Sequence, residues 1–236
     1  MSRTRKDAAI YLNNKIMKKI MMIAAMMVAT LSANAQNEVG QLSIKPTIGL
    51  NFATLTKSDI SKTRTGLNFG IEAEYGVTEK FGVTAGLFYS QQGAKTKDFH
   101  LAVKNNIIGG KEFDGKATIK LDYINIPILA QYYLIPGLAI KAGIQPGFNV
   151  LKKVALDGTV YQGGVQGGNP EKIDESIRIE EGVKNFVFAI PVGLSYEYKN
   201  FVLDARYNIG VTKAGSDYDG HHSVFSITLG YKIPIN

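Results

Sequence analysis

Apolar residues in this chain recur at every second position through eight separate runs, and no window of useful length shows the 3.6-residue spacing of an amphipathic helix. Each run predicts a β-strand with one apolar and one polar face. The first sets Leu42, Ile44, Ile48, Leu50 and Phe52 against Ser43, Lys45, Thr47, Gly49 and Asn51. The second sets Leu67, Phe69, Ile71, Ala73, Tyr75 and Val77 against Asn68, Gly70, Glu72, Glu74 and Gly76. Six more follow the same rule, at Phe81 to Tyr89, Ile124 to Leu134, Leu138 to Phe148, Phe186 to Tyr196, Phe201 to Ile209 and Phe225 to Ile233. The fourth is less clean, because Leu129 and Tyr133 fall on its polar face.

The runs have about the nine to eleven residues with which a tilted strand crosses a bilayer. Their connections alternate in length. Tight ones fall at Thr78 to Lys80, Ile135 to Gly137 and Lys199-Asn200, and long ones at 53–64, 93–117, 152–184 and 212–222. All tight turns then share one end, as in bacterial outer-membrane barrels with short periplasmic turns. The expected fold is all-β: a closed, eight-stranded, antiparallel, up-and-down transmembrane β-barrel with both termini in the periplasm. Closure is expected because lipid offers no hydrogen-bond partner to an open strand edge.

Volume decides which face looks outward. Five or six large apolar side chains per strand exceed what an eight-stranded interior holds, whereas Gly, Ser, Asn, Thr and a few charges suit it. Aromatic residues fall in two bands: Tyr75, Phe81, Tyr132, Tyr196, Tyr198, Phe201 and Tyr231 near the tight turns, and Phe52, Tyr89, Phe148, Phe186 and Phe225 near the long loops. Such bands are expected at the two membrane interfaces.

Composition sharpens this. A chain of 236 residues suits one domain, and the absence of cysteine excludes disulfides and thiolate metal sites. The net charge of +7 suggests a polyanion until it is located: residues 1–35 hold Arg3, Arg5, Lys6, Lys15, Lys18 and Lys19 against Asp7, so the remainder carries only +2. No nucleic-acid partner is expected. From Met17, the reading Lys18-Lys19, an apolar stretch from Ile20 to Leu31, then Ala33-Asn34-Ala35 has the order of a cleavable signal peptide. Residues 1–35 are therefore expected to be a signal peptide, with translation starting at Met17, and residues 36–236 the barrel domain.

The segments Leu121-Asp-Tyr-Ile-Asn-Ile-Pro-Ile-Leu-Ala-Gln-Tyr-Tyr133, Ala142-Gly-Ile-Gln-Pro-Gly-Phe148 and Phe188-Ala-Ile-Pro-Val-Gly-Leu-Ser-Tyr-Glu-Tyr198 resemble the PorT family of outer-membrane β-barrel proteins from Bacteroidetes. The resemblance spans nearly the whole mature chain. It implies an outer-membrane location and a role as an accessory of protein secretion or assembly, and it carries over no catalytic or binding motif.

Chemistry is sparse. His100, His221 and His222 are expected in loops, and the cluster Ser216-Asp-Tyr-Asp-Gly-His-His-Ser223 would offer Asp217, Asp219 and His222 to a metal or to acid–base work. A solvated loop tip is the simpler reading, because the calcium-loop fragment lacks its later Glu. No enzyme, cofactor or metal is expected; a small outer-membrane hydrolase or acyl-modifying enzyme, and small-ligand binding or transport at the barrel mouth, are the alternatives. Partners are expected to be outer-membrane lipid and other envelope proteins meeting loops 93–117 and 152–184. Residues 153–161 are expected to form a small hairpin around Asp157-Gly158, and Ser176 to Glu180 to prolong the sixth strand.

The inward charges Lys45, Glu72, Glu74, Lys141, Glu197, Asp204, Arg206 and Lys232 all lie toward the tight-turn end, four acidic and four basic. They are expected to form a charge-neutral plug, because unpaired ions in a confined interior are costly. Neutral Asn51, Asn68, Ser90, Asn149, Asn208 and Ser226 are expected to line the other half.

Overall fold

The computed structural model describes residues 39–57, 61–103, 111–162, 170–179, 182–215 and 219–235, so the expected leader lies outside the described residues. The described strands are β1 (Leu42–Leu55), β2 (Ser61–Lys62), β3 (Arg64–Gly76), β4 (Phe81–Thr96), β5 (Phe99–Val103), β6 (Lys111–Asn125), β7 (Ile128–Ile135), β8 (Leu138–Gln162), β9 (Pro170–Arg178), β10 (Phe186–Tyr198), β11 (Phe201–Lys213), β12 (His221–Tyr231) and β13 (Ile233–Ile235). Among the described residues no helix is long and apolar enough to cross a membrane.

All pairings are antiparallel. The hydrogen-bonded order runs β10, β11, β12, β1, β3, β4, β7, β8, and β8 pairs in turn with β10. The ladder thus returns to its own start. The first and last long strands meet in β1–β12, from Thr47↔Gly230 to Leu55↔His222.

The fourth position in this ring is shared by β6 and β7, each lying between β4 and β8. The single strand expected from Ile124 to Leu134 is broken at Ile126-Pro127, because Pro127 has no N–H for a ladder. The neighbouring groups still find partners: Gly86 N donates to the Pro127 carbonyl at 3.0 Å and Ile126 N to the Pro146 carbonyl at 2.9 Å.

The long connections differ from expectation in the same direction. Much of 93–117 and 152–184 is strand: β4 continues to Thr96, β6 begins at Lys111, β8 runs 25 residues to Gln162, and β9 returns along it. Together with β5 they extend the sheet beyond the ring at the long-loop end. The cause is visible where the expected connection 93–117 ends, since Ala117, Ile119 and Leu121 alternate with Lys116, Thr118 and Lys120 and carry period two back from the fourth strand.

The hairpin expected at Asp157-Gly158 does not form. Asp157 pairs with both Lys116 and Asp174, and Gly158 with Gly115 and Ile173, so an unbroken ladder on either side keeps β8 extended. Ser176 to Arg178 lie on β9 against β8, but residues 179–185 separate them from β10, and Glu180 lies outside the described residues.

The tight turns are chemically specified. Thr78 Oγ1 accepts from Phe81 N at 2.9 Å and Lys80 N at 3.3 Å. Gly137 (φ 81°) and Lys199 (φ 55°) supply the left-handed conformation that two-residue connections require.

Polarity is inverted relative to a water-soluble sheet. Ile48 is 62% and Leu87 57% exposed, while Glu72 is 0% and Lys45 1%.

Candidate functional site

The enclosed interior holds the chain's densest polar chemistry, arranged in layers. Nearest the tight turns, Lys232 Nζ lies 2.8 Å from Glu74 Oε1 and 3.1 Å from Glu197 Oε2. Tyr133 Oη donates to Glu74 at 3.0 Å and itself accepts from Gln131 Nε2 at 3.1 Å. Lys45 links this layer to the next, 3.7 Å from Glu74 and 2.6 Å from Glu72.

In that next layer Lys141 bridges Asp204 at 2.9 Å and Glu72 at 3.3 Å. Arg206 holds Glu72 at 2.5 Å and grips Asp204 with two nitrogens at 2.6 and 3.0 Å, the forked geometry that makes guanidinium–carboxylate pairs strong. All eight sequence-predicted interior charges therefore join one continuous network, four of each sign.

Small residues make room for the long side chains. A Cβ at Gly230 would sit 2.8 Å from Lys45 Cγ, and one at Gly193 would sit 3.0 Å from Arg206 Cγ. The Arg206 guanidinium also lies 5.8 Å from the centroid of Phe88.

Above the ions comes a neutral layer. Asn51 Nδ2 donates to Ser90 Oγ at 2.8 Å, Ser226 Oγ donates to Asn51 Oδ1 at 2.7 Å, and Asn208 Nδ2 reaches Ser226 at 3.2 Å. Asn68 is also buried, and Asn149 is half-buried. Two cavities of about 20 Å³ share Asn125, Gln145 and Asn208 in their walls, each near the size of one water.

The long-loop half is not wholly polar, contrary to expectation. Leu121, Tyr123 and Val187 close over the neutral layer as a buried apolar cluster. A β-bulge between Asp122 and Tyr123 shifts the register there. Beyond the cluster lies a cavity of about 200 Å³ lined chiefly by Leu55, Ala94, Ile119, Leu121, Val183 and Ala214.

The histidines are in strands, not loops. His100 is on β5, with Nδ1 2.5 Å from Asp114 Oδ1. His221 and His222 open β12, where period two continues back from Phe225 into the expected connection 212–222. His222 is 5% exposed, its Nε2 3.0 Å from Tyr123 Oη and its ring edge-on to that ring. Asp219 is exposed and paired instead with Lys213, whose ammonium holds its carboxyl below the usual carboxylate range. Of the candidates Asp217, Asp219 and His222, Asp219 and His222 have separate partners, and Asp217 lies outside the described residues. Among the described residues no group of three or more His, Cys, Asp or Glu is placed to hold a metal.

The aromatic bands lie on the outward face. Near the tight turns Tyr75, Tyr132, Tyr198, Phe201 and Tyr231 are exposed, and Phe81 and Tyr196 half-buried. Near the long loops Phe148, Phe186 and Phe225 are exposed, and Phe52 and Tyr89 half-buried. Neighbouring strands bring them into contact: Phe201–Tyr231 at 5.1 Å, Phe148–Phe186 at 5.4 Å and Phe52–Phe225 at 6.3 Å between ring centres. These separations lie in the range of favourable aromatic pairs.

No curated protein sequence matches the chain. Among solved structures it is similar to Ail, the attachment invasion locus protein of Yersinia pestis, at 17% identity, with 84% of this chain and 100% of that one covered and a TM-score of 0.38. It is similar to Neisserial surface protein A at 13% identity, with 81% and 97% covered and a TM-score of 0.42. The outer membrane protein OprG from Pseudomonas aeruginosa is 15% identical, with 84% and 97% covered and a TM-score of 0.38. A family model described as outer membrane protein beta-barrel domain matches residues 34–214, and the chain belongs to that family.

Proposed function

We propose that this outer-membrane protein is a closed barrel of eight strand positions, delivered by a signal peptide, with its termini in the periplasm. It neither conducts nor catalyses, and it serves as a structural or interaction module. The inverted polarity of the ring carries this reading: large apolar side chains such as Ile48 and Leu194 face outward, while Lys45, Glu72 and Gln131 are buried. Such an outer wall suits lipid, and the ion network suits a seal, because an eight-stranded interior is narrow enough for side chains to fill it.

The finer proposal is kinship with PorT proteins and an accessory part in secretion or assembly, supported by the strand motifs around Tyr123, Pro146 and Pro191. Small-ligand binding at the mouth is a second reading, favoured by the cavity beside Leu121 and Val183. A hydrolase gains no support, because His222 faces Tyr123 rather than a nucleophile and an acid.

Planar lipid bilayers test the seal. The purified protein should give no stable conductance, whereas Arg206→Ala or Glu72→Ala should open one. Ion-selective conductance from the unaltered chain would overturn the proposal.

A further inference from the structure

The extension beyond the ring sets like charges directly opposite one another. Lys120 on β6 is the register partner of Lys153 on β8, and Lys153 is in turn the partner of Arg178 on β9. One row farther from the ring, Lys95 on β4 pairs with Lys62 on β2. Residues directly opposite in a sheet share a face, and like charges there destabilise it.

That face is the outer one. Leu121 beside Lys120 and Ala94 beside Lys95 are buried toward the interior, so alternation turns the two lysines the other way. Among the described residues no carboxylate pairs with any of these five cations. Asp122, the near acid, is held by Tyr89 Oη at 2.6 Å and lies 3.6 Å from Arg64. Beyond the lysine rows a carboxylate does pair with a cation, at Lys116 and Asp157, 3.4 Å apart.

Height identifies what meets this face. Tyr89, Ile124 and Phe148 are successive register partners within the long-loop aromatic band. Lys120 is four residues beyond Ile124, which at a strand rise near 3.3 Å and a tilt near 40° places it roughly 10 Å above the band. That is the headgroup layer, since aromatic bands mark the membrane interface. A shallow hollow of about 410 Å³ opens beside Arg178, bordered by Asn149, Val150, Leu151 and Ile179, with room for a phosphorylated sugar.

We propose that Lys120, Lys153 and Arg178, with Lys62 and Lys95 above them, bind the phosphate groups of a phosphorylated glycolipid headgroup in the outer leaflet. Arg178 would take a phosphate through its forked donors, and the lysines would act as point charges beside it. A soluble polyanion fits less well, because Asp122 in the row below is already engaged by Tyr89 and Arg64, and the rows of Lys120 and Lys95 carry no acid among the described residues. The mixed-sign row of Lys116, Asp157 and Asp174 lies farther from the bilayer. The inference rests on the membrane-spanning reading.

The test uses the full mature chain folded into phosphatidylcholine vesicles that contain a minor fraction of bisphosphorylated lipid A. Insertion is scored separately, by heat-modifiable gel mobility and protease protection. Lipid retained after mild detergent extraction is then weighed by mass spectrometry. The wild type should retain lipid A about tenfold over its bulk share, and Lys120→Gln/Lys153→Gln/Arg178→Gln should retain it near the bulk share. If the triple variant does not insert, Lys153→Gln alone should still lower the ratio. Monophosphorylated lipid A should be enriched less, and millimolar inorganic phosphate should not displace the lipid. Equal enrichment in inserted wild type and inserted variant overturns the inference, as does displacement by inorganic phosphate. A wild type that fails to insert overturns the membrane-spanning reading instead.

Discussion

Arg206→Met is the sharpest perturbation of the interior. The side chain makes contacts at 2.5 Å to Glu72 and at 2.6 and 3.0 Å to Asp204, and it is 8% exposed. Without it Glu72 keeps Lys45 at 2.6 Å and Lys141 at 3.3 Å, and Asp204 keeps Lys141 at 2.9 Å, so four carboxylates face three cations. Removing one member of a buried ion cluster strands a charge and costs about 3–5 kcal/mol, whereas removing a balanced pair costs much less. Arg206→Met should therefore lower stability by about that amount, and adding Asp204→Asn should restore a large part of it as a coupling of up to about 3 kcal/mol. The chain has no tryptophan, so denaturant unfolding in vesicles is followed by circular dichroism and heat-modifiable gel mobility. A single-variant loss below about 1 kcal/mol, the worth of an exposed ion pair, would refute the reasoning, as would a double variant that merely adds the two losses.

Trypsin added to intact cells should cut at exposed Lys172 or Arg178 and spare Lys80 and Lys199; the reverse pattern, with the outer membrane unbroken, would invert the topology. Phe201→Ala with Tyr231→Ala removes a ring pair 5.1 Å apart near the tight turns, so folding into vesicles should slow and a double-mutant cycle should return a coupling of about 0.5–1.5 kcal/mol, whereas strictly additive losses would deny the pair any role. His222→Ala leaves the Tyr123 hydroxyl without its 3.0 Å partner and should cost about 1–3 kcal/mol in denaturant unfolding, while any processing of lipid or peptide in a cell-envelope assay stays as it was.

How much was legible in sequence follows from what period two does and does not encode. Alternation assigns each residue a face, so Lys45, Glu72, Lys141 and Arg206 could be placed inward from the chain alone. It does not encode pairing. That Arg206 meets Glu72, 134 residues earlier, depends on registers set separately along the ring. Nor does alternation say what fills the inward face. Leu121 and Tyr123 keep the phase of inward Asn125, and Val187 that of inward Ser195, while the bulge adds its extra residue, Val150, on β8. The interior apolar cluster thus departs from the polar lining expected of the long-loop half without any shift of phase. His222 falls within the expected connection 212–222, yet Ser226 and Thr228 followed backward in steps of two lead through Val224 to His222, all four buried. Likewise Lys153 to Tyr161 carried a turn dipeptide, and the ladders from Lys111 to Asp122 on one side and from Pro170 to Arg178 on the other outweighed it.

These placements also narrow where function resides. The ion network crosses the interior near the tight turns, Leu121, Tyr123 and Val187 are buried together toward the long loops, and two water-sized spaces lie between among the described residues. On the proposed sealed barrel, a partner larger than water would meet the protein on its outer wall, on the sheet extended by β5, β6, β8 and β9, or at the apolar mouth beside Leu55 and Ile119. Among the described residues, the extension combines a continuous ladder with cations that no carboxylate pairs, at a fixed height above an aromatic band. If the bilayer and lipid-retention measurements come out as proposed, a sealed interior beneath a charged rim makes the barrel an anchor for binding at the outer surface.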